Sequence, residues 1–403
     1  MASYGVPTND AEREAVVRFC CVCFHPASLD GIREWIGAFD PSKLRLLRDD
    51  GGEPVATLTR LDMGQYFGGR VVSMSGVAAV AIPPERRGEG HAPKLMEAYV
   101  REARADGFAL LALYASTQRL YRKSGYEQAG HCYITTIPPR CWETIPEVAG
   151  DDALTLRPAT DADEPAIRAC YDAAAALRNG ELARGEDIWR YVRTRRGRTH
   201  DRVVVERSPG IIEGHCAYVI DSDPTDDLGG QRIDLHDLSY TTPAAAVRLV
   251  RFLSTFGTLG RSFRIVGGPT HPILSILRDH GYRAKLADHW FTRVLNVRTA
   301  LEQRGYPAGL DTSVSFHIHD PLFEENSGVW RLDVKDRLGR VTHGGDASGA
   351  IALDIRAFAS LFTGYLSASE LSSIGRACTD DVSALRRADA AFAGPPPAMS
   401  TMF

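Results

Sequence analysis

Between Val80 and Pro93 the chain reads VAIPPERRGEGHAP, joining an apolar run that ends at Ile82 to an amphipathic run that opens near Ala92. A strand, a glycine-rich turn and a helix in that order point several backbone N–H groups at one spot. The helix N-terminus adds about half a positive charge there. Gly88 and Gly90 let the backbone approach an anion without a Cβ in the way, and Arg86 and Arg87 add mobile positive charge. This chemistry suits a diphosphate. A Walker loop is excluded, because no Lys-Ser/Thr follows the glycines. A dinucleotide fingerprint is excluded as well, because Pro93 stands where the third glycine belongs.

The surrounding pattern shows which elements hold this turn. Residues 11–24 and 32–39 have apolar positions at helical spacing. Three strand-like runs follow at 44–49, 54–63 and 69–82, separated by Gly51-Gly52 and Gly68-Gly69 as in antiparallel hairpins. After the turn, a helix over about 93–105 carries Leu95, Met96, Tyr99, Val100 and Ala103 on one face, with Gly107 as its stop. Residues 108–115 and 131–137 read as further strands. The stretch 138–152, with prolines at 138, 139 and 146, suits a linker. Beyond it, 154–175 repeats the strand, loop and helix opening. Strands at 201–207, 210–220 and 233–240, a helix at 244–257 and a strand at 261–268 continue that repeat. This second part has no glycine-rich loop before its helix. The last part, from about residue 294, mixes helices with strands at 313–320, 329–334 and 350–358, an α+β pattern. It ends in Gly394-Pro395-Pro396-Pro397 and Ser400-Thr401-Met402-Phe403.

A length of 403 residues predicts two to four domains at roughly 100–200 residues each. The 47 basic and 51 acidic residues give a net charge of −4, without the basic excess a nucleic-acid surface needs. The short basic run of Arg193, Arg195, Arg196 and Arg198 reads as a solvated helix end or loop. No apolar stretch approaches the roughly 20 residues of a membrane span, and no secretory leader pattern is visible at the N-terminus. The eight cysteines lack paired spacing and read as buried thiols of a reducing cytoplasm, so no metal is expected. His317 and His319 alternate onto one strand face beside Asp320 without a third ligand nearby. Asp221, Asp223, Asp226 and Asp227 lack the spacing of a calcium loop. The first set reads as a surface or a satisfied core face, the second as a solvated turn.

The turn resembles motif A of the GNAT family of acyl-CoA N-acetyltransferases, R/Q-x-x-G-x-G/A, with Arg87, Gly90 and Ala92 in its key positions. Downstream, Tyr121, Gly125 and Tyr126 match the family's Y-x-x-x-G-[FY] pattern. The whole chain is similar to the Eis group (enhanced intracellular survival) through LYRKSGYEQAG, LNVRTALEQRGY at 295–306, SLFTGY at 360–365, LRRADAAF and the terminal Phe403. The resemblance implies an α+β chain of two GNAT-type domains, the second degenerate, followed by a sterol-carrier-like domain. The boundaries are 1–150, 151–293 and 294–403, with the C-terminal tail entering the first domain's active site.

It further implies acetyl-CoA as co-substrate. Backbone groups of Val80, Ala81 and Ile82 would pair with the pantetheine arm. Arg87, Gly88, Glu89, Gly90, His91, Ala92 and Pro93 would hold the pyrophosphate, and Ser116 and Thr117 would add a further contact. Tyr121 matches the general acid. A phenol of pKa about 10 needs assistance to protonate a thiolate of about 8.5. The α-carboxylate of Phe403 matches the general base. Phe24, His25 and Trp35, with Asp30, would wall the acceptor pocket for an aminoglycoside-like amine, another small polyamine or a peptide lysine. A cytoplasmic homohexamer is implied by the same likeness. The alternative is a non-catalytic protein that binds a lipid or another apolar ligand in its C-terminal domain.

Overall fold

The computed structural model describes residues 3–24, 29–37, 39–142, 145, 148, 150, 152–193, 200–223, 229–277 and 279–403. The first part contains β1 (Ser3–Gly5), α1 (Asp10–Cys23), α2 (Leu29–Gly37), β2 (Leu44–Arg48), β3 (Pro54–Phe67), β4 (Arg70–Ala81), α3 (His91–Ala105), β5 (Leu110–Tyr114), α4 (Gln118–Lys123) and β6 (Glu127–Ile137). The second contains β7 (Thr155–Pro158), α5 (Glu164–Ala175), β8 (Leu182–Ala183), α6 (Glu186–Arg193), β9 (Asp201–Ser208), β10 (Ile211–Ser222), β11 (Gln231–Tyr240), α7 (Pro243–Ser254), β12 (Gly260–Gly267) and β13 (Arg283–Val294). The third contains α8 (Val297–Gln303), β14 (Thr312–His319), β15 (Gly328–Lys335), β16 (Leu338–His343), β17 (Ile351–Asp354), α9 (Ile355–Thr363), α10 (Ala368–Ser373), β18 (Ala377–Cys378) and α11 (Val382–Phe392).

Local chemistry sets α1, α3, α7 and α9 in stretches the sequence reading assigns to regular structure. Asn9 caps α1 by accepting from the Glu12 N–H, and the spaced apolar residues of α3 are all buried. Thr242 caps α7, and Gly364 closes α9 in the left-handed conformation. The chain is mixed α+β throughout.

Among the described residues, thirteen strands share one sheet with the order β1-β2-β3-β4-β5-β13-β6-β12-β11-β10-β9-β7, β8 pairing with β3. Two strands therefore change sides. β13, late in the second part, lies antiparallel between β5 and β6, and β6, late in the first part, lies between β13 and β12. The sequence reading assigns no strand to residues 283–294, and adjacency along the chain gives no warning of this exchange. The stretch read as a linker is also more than that. Its described beginning, Pro139–Trp142, is a short helical turn that buries Cys141 and Trp142, with the Trp142 ring 5.2 Å from that of Phe263.

The third part folds as a five-stranded sheet, β16-β15-β14-β17-β18, covered by α9 and α11. Its interior is filled by Phe316, Phe358, Phe362 and Phe392, and by the buried guanidinium of Arg304. Arg304 donates to the Phe362 and Phe392 carbonyls at the C-terminal ends of α9 and α11, where helix dipoles favour a cation. His317 and His319 are exposed on β14, whereas Asp320 is buried and paired with Arg293, so the three do not converge. Asp223 accepts from Ser262 Oγ at 2.8 Å; Asp226 and Asp227 lie outside the described residues, as do Pro146, Arg195, Arg196 and Arg198. Among the described residues no three or more His, Cys, Asp or Glu side chains gather as for a metal ion, and no helix is long and apolar enough to cross a membrane.

Candidate active site

β4 and β5 run parallel and paired only from Met74 to Gly76 against Leu110 to Ala112. Beyond Gly76 they part, and β4 continues to Ala81 with only β3 beside it. The result is a fork whose inner edge leaves backbone N–H and C=O groups without a strand partner. The β3–β4 register slips between Thr57 and Thr59, and Ala79 takes a φ of 52° there. That kink turns Val80 and Ala81 relative to the strand below. The Ile82 carbonyl accepts from Cys23 Sγ and from Arg87 Nε, each at 3.2 Å, pinning the strand end to α1.

The loop from Pro83 to Gly90 then leads into α3. Gly90 precedes the helix at φ 80°, a conformation costly for residues with a Cβ, and Gly88 has φ 86°. The N–H groups of His91 and Ala92 open α3 and have no carbonyl four residues back within the helix. Pro93, in the first turn, gives up a donor that the helix would not use. Of the two acids in this loop, Glu85 and Glu89, the second is answered internally. It accepts from His91 Nε2 at 2.9 Å and from Arg86 Nε at 3.1 Å, and these contacts hold it below the ordinary carboxylate range. Arg86 also binds Asp49 at 2.9 Å, so it is a fixed strut and not the mobile charge the sequence suggests. Arg87 has no acidic partner among the described residues.

Tyr121 lies on α4, buried beside Tyr126 with ring centroids 6.0 Å apart. Burial raises its phenol above the ordinary value, and a hydrogen bond with Ser116 opposes that shift. The phenol is therefore protonated at neutral pH. Ser116 and Thr117 are exposed just before α4. Gly125 is fixed by its surroundings: its φ is 83°, and a Cβ would come within 2.8 Å of Arg293 Nε.

The C-terminal tail is built into the fold. His131 N–H donates to the Pro397 carbonyl at 3.0 Å, and Met399 N–H returns to the His131 carbonyl at 3.3 Å. Ala398 N–H donates to the Asn179 carbonyl at 2.9 Å. Met399 is fully buried. The last ring, Phe403, packs edge-on to Tyr114 with centroids 5.9 Å apart and lies against Gly76, where β4 and β5 part.

On the acceptor side, Phe24 and Trp35 meet edge to face at 6.1 Å, and Trp35 borders the same apolar cluster as Tyr114 and Phe403. His25 lies outside the described residues. Asp30 and Glu34 on α2 face solvent, and Asp30 pairs with Arg33. Met402 lines a cleft of about 290 Å³ bordered by Asp221, Arg232, Asp234, His236 and Arg264. Arg232 pairs with Asp221 and Asp234, and Arg264 lies 3.6 Å from Asp234, so the carboxylates are balanced by arginines. Sequence reasoning misses Gly76, His131 and the segment Asn179–Arg184, all of which touch the tail. A glycine inside an apolar strand run is the one signal that could have drawn attention to residue 76.

Comparison with known proteins agrees with this architecture. Residues 7–129 and 180–295 each match an acetyltransferase (GNAT) domain, and residues 297–400 match a sterol carrier protein domain. The N-acetyltransferase Eis of Mycobacterium tuberculosis (strain ATCC 25177 / H37Ra) is 26% identical over 371 residues, 86% of this chain and 85% of that one. The crystal structure of a GCN5-related N-acetyltransferase from Anabaena variabilis superposes with a TM-score of 0.90 and 26% identity, covering 100% of both chains. Eis1 from Mycobacterium abscessus shares the fold, with a TM-score of 0.80 and 21% identity over 100% of both chains.

Proposed function

Because the chain is an Eis-like N-acetyltransferase of the GNAT family, we propose that the fork between β4 and β5 is where it transfers an acetyl group from acetyl-CoA to a primary amine. The seating of the terminal Phe403 ring at that fork, against Gly76 and Tyr114, is the observation that carries the reading.

The residues present fit acetyl-CoA, which as co-substrate supplies an activated acetyl thioester. The open inner edge of Val80, Ala81 and Ile82 offers backbone partners for an amide-bearing arm. The first-turn N–H groups of α3, with Gly88, Gly90 and Arg87, offer an anion cradle. Glu89, occupied by His91 and Arg86, does not oppose an anion there. Ala92 and Pro93 set the helix start, and Ser116 and Thr117, exposed just before α4, would add a further contact.

Tyr121 Oη, held protonated by burial, gives its proton to the departing sulfur. The α-carboxylate of Phe403, with a reference pKa of about 3.3–3.7, is ionised at neutral pH and takes a proton from the acceptor's ammonium, freeing the neutral amine to attack the thioester carbon. The acceptor is a primary amine of an aminoglycoside, another small polyamine or a peptide lysine, with Phe24 and Trp35 along its wall. A cytoplasmic assembly of six copies, measurable by light scattering, belongs to the same reading. The side-chain-filled interior of the third part gives no support to an apolar-ligand function.

The test is release of the CoA thiol from acetyl-CoA against aminoglycosides, polyamines, lysine peptides and amino sugars, using protein with an untagged C-terminus. Release with any of these amines is expected. Gly90→Trp should abolish stoichiometric acetyl-CoA binding, since a large side chain at φ 80° fills the cradle. Binding of apolar ligands only, with no acetyl-CoA bound, would overturn the reading.

A further inference from the structure

The second part contains its own fork. β11 and β12 run parallel and paired from Gln231 to Leu235 against Gly260 to Ile265, and then part. This repeats the β4–β5 arrangement, with α7 in the place of α3. The connection differs. Residues 82–90 separate β4 from α3, whereas only Thr241 and Thr242 separate β11 from α7. Thr242 Oγ1 accepts from the Ala245 N–H and donates to Glu213 at 2.7 Å, so this helix start is closed by its own side chains. Among the described residues, no loop like that of residues 82–90 precedes α7 at the second fork.

Instead the chain's own C-terminus enters it. A small cavity between the parting strands is lined by Asp237, Ile265, His271, Glu181 and Ser400. Buried Glu181 accepts from Ser400 Oγ at 2.7 Å and from Ser400 N at 3.2 Å. Arg184, whose side chain is wholly buried, makes a two-pronged pair with Asp237 on the diverging stretch of β11, at 2.7 and 3.2 Å. The same guanidinium reaches Thr401 Oγ1 at 3.1 Å and stacks 3.6 Å over the Tyr171 ring. Gly180, at φ 94°, lets the backbone pass so close to Ala398 that a Cβ would lie 2.8 Å from its carbonyl. Two residues beyond Thr401, Phe403 meets the first fork. The tail thus spans both forks within its last four residues.

We propose that the second fork is a socket for the C-terminus, and that Glu181, Arg184 and Asp237 are positioning residues that set where the terminal carboxylate lies at the first fork. The catalytic half of this rests on the reading of Phe403 as the base. Buried, charge-assisted hydrogen bonds suit the task, because they fix a backbone that a proline-rich tail would otherwise leave to fray. They touch neither the α3 loop nor the inner edge of β4.

The test uses the full chain with Ser400→Ala and Thr401→Val combined, which removes the tail's side-chain contacts with the socket but leaves Arg184 paired with Asp237. Two quantities are read: the rate at which carboxypeptidase Y releases Phe403, and kcat and KM with acetyl-CoA and a reactive amine. Release should rise about tenfold or more, as expected for lost hydrogen bonds to charged partners. The kcat should fall to a similar extent while KM for acetyl-CoA stays within about twofold. Glu181→Gln, which keeps the side chain's shape, should show the same split more weakly. Unchanged release of Phe403 would overturn the socket. Faster release with unchanged kcat would overturn the positioning role. The chain lacking Phe403 separates the two readings: inactivity supports the terminal base, and full activity would sink that base whatever the socket does.

Discussion

The ring of Phe403 lies so close to Gly76 that a Cβ there would stand 2.8 Å from Phe403 Cε2, and 2.3 Å from the Met63 methyl. A strand residue and the chain terminus, far apart in sequence, are thus fitted to each other at the point where β4 leaves β5. Gly76→Ala should displace the terminal ring. Since misplacement of a reacting group by about 1 Å costs roughly 100-fold in rate, kcat should drop on that order. Stability should fall by only about 1–3 kcal/mol, as for other overpacked sites. Steady-state kinetics with calorimetric acetyl-CoA binding checks this: binding is expected to survive, and unchanged kcat would remove Phe403 from the chemistry.

Tyr121→Phe removes one hydroxyl from a buried ring and should lower kcat by about 10²–10⁴-fold while leaving acetyl-CoA affinity nearly intact. The pH dependence has a defined sign. An acid works while protonated, and burial raises this phenol, so the alkaline limb of kcat should fall above the ordinary phenol value. Ser116 lowers the phenol by hydrogen bonding, so Ser116→Ala should move that limb further upward. A limb unmoved in Ser116→Ala would separate it from Tyr121.

How much of this site can be read from sequence follows from the range of the interactions. The strand, the glycine-rich turn and α3 are local, set by apolar spacing, Gly90 and the first-turn chemistry, and the structure forms them where the residues point. The role of Arg86 is not local: its partner Asp49 sits across the fork's outer side and turns an apparent mobile cation into a strut. The exchange of β6 and β13 is invisible for the same reason. Strand pairing is decided by tertiary contacts, and both strands carry patterns that would suit either neighbour. Likewise nothing about Asn179 to Arg184 announces that this stretch will grip Ser400 and Thr401 more than two hundred residues later.

Glu12 joins α1 to β2 through a double contact with Arg48, at 2.6 and 2.7 Å, and accepts from the Thr8 N–H at 2.6 Å. The Arg48 bond leads in lowering its carboxyl from 4.5 to about 2. A carboxylate depressed in the folded state contributes stability that is present above its unfolded value and lost as pH falls through the folded one. Melting temperature should therefore decline between pH 4.5 and about 2, and Glu12→Gln should flatten part of that decline. Thermal scans across this window test it; identical slopes for both proteins would rule Glu12 out as a contributor.

Arg293 and Asp320 are both wholly buried and join β13 to the third part through contacts of 2.7 and 2.8 Å. Asp320 also accepts from Asn326 Nδ2 at 2.8 Å and from the Leu322 N–H at 3.1 Å, so its oxygens are well occupied. Burial pulls the guanidinium below its ordinary value, and Asp320 is the foremost group opposing that shift. Removing only the negative partner leaves an uncompensated cation beside Gly125, in the turn that follows Tyr121. Asp320→Asn should therefore destabilise the chain by about 3–5 kcal/mol. Replacing both, as Arg293→Met with Asp320→Leu, should cost less than Asp320→Asn alone, because no charge is stranded. Denaturant unfolding of the three variants decides it: a double variant less stable than Asp320→Asn would show that the guanidinium's packing, and not its charge balance, is what β13 depends on.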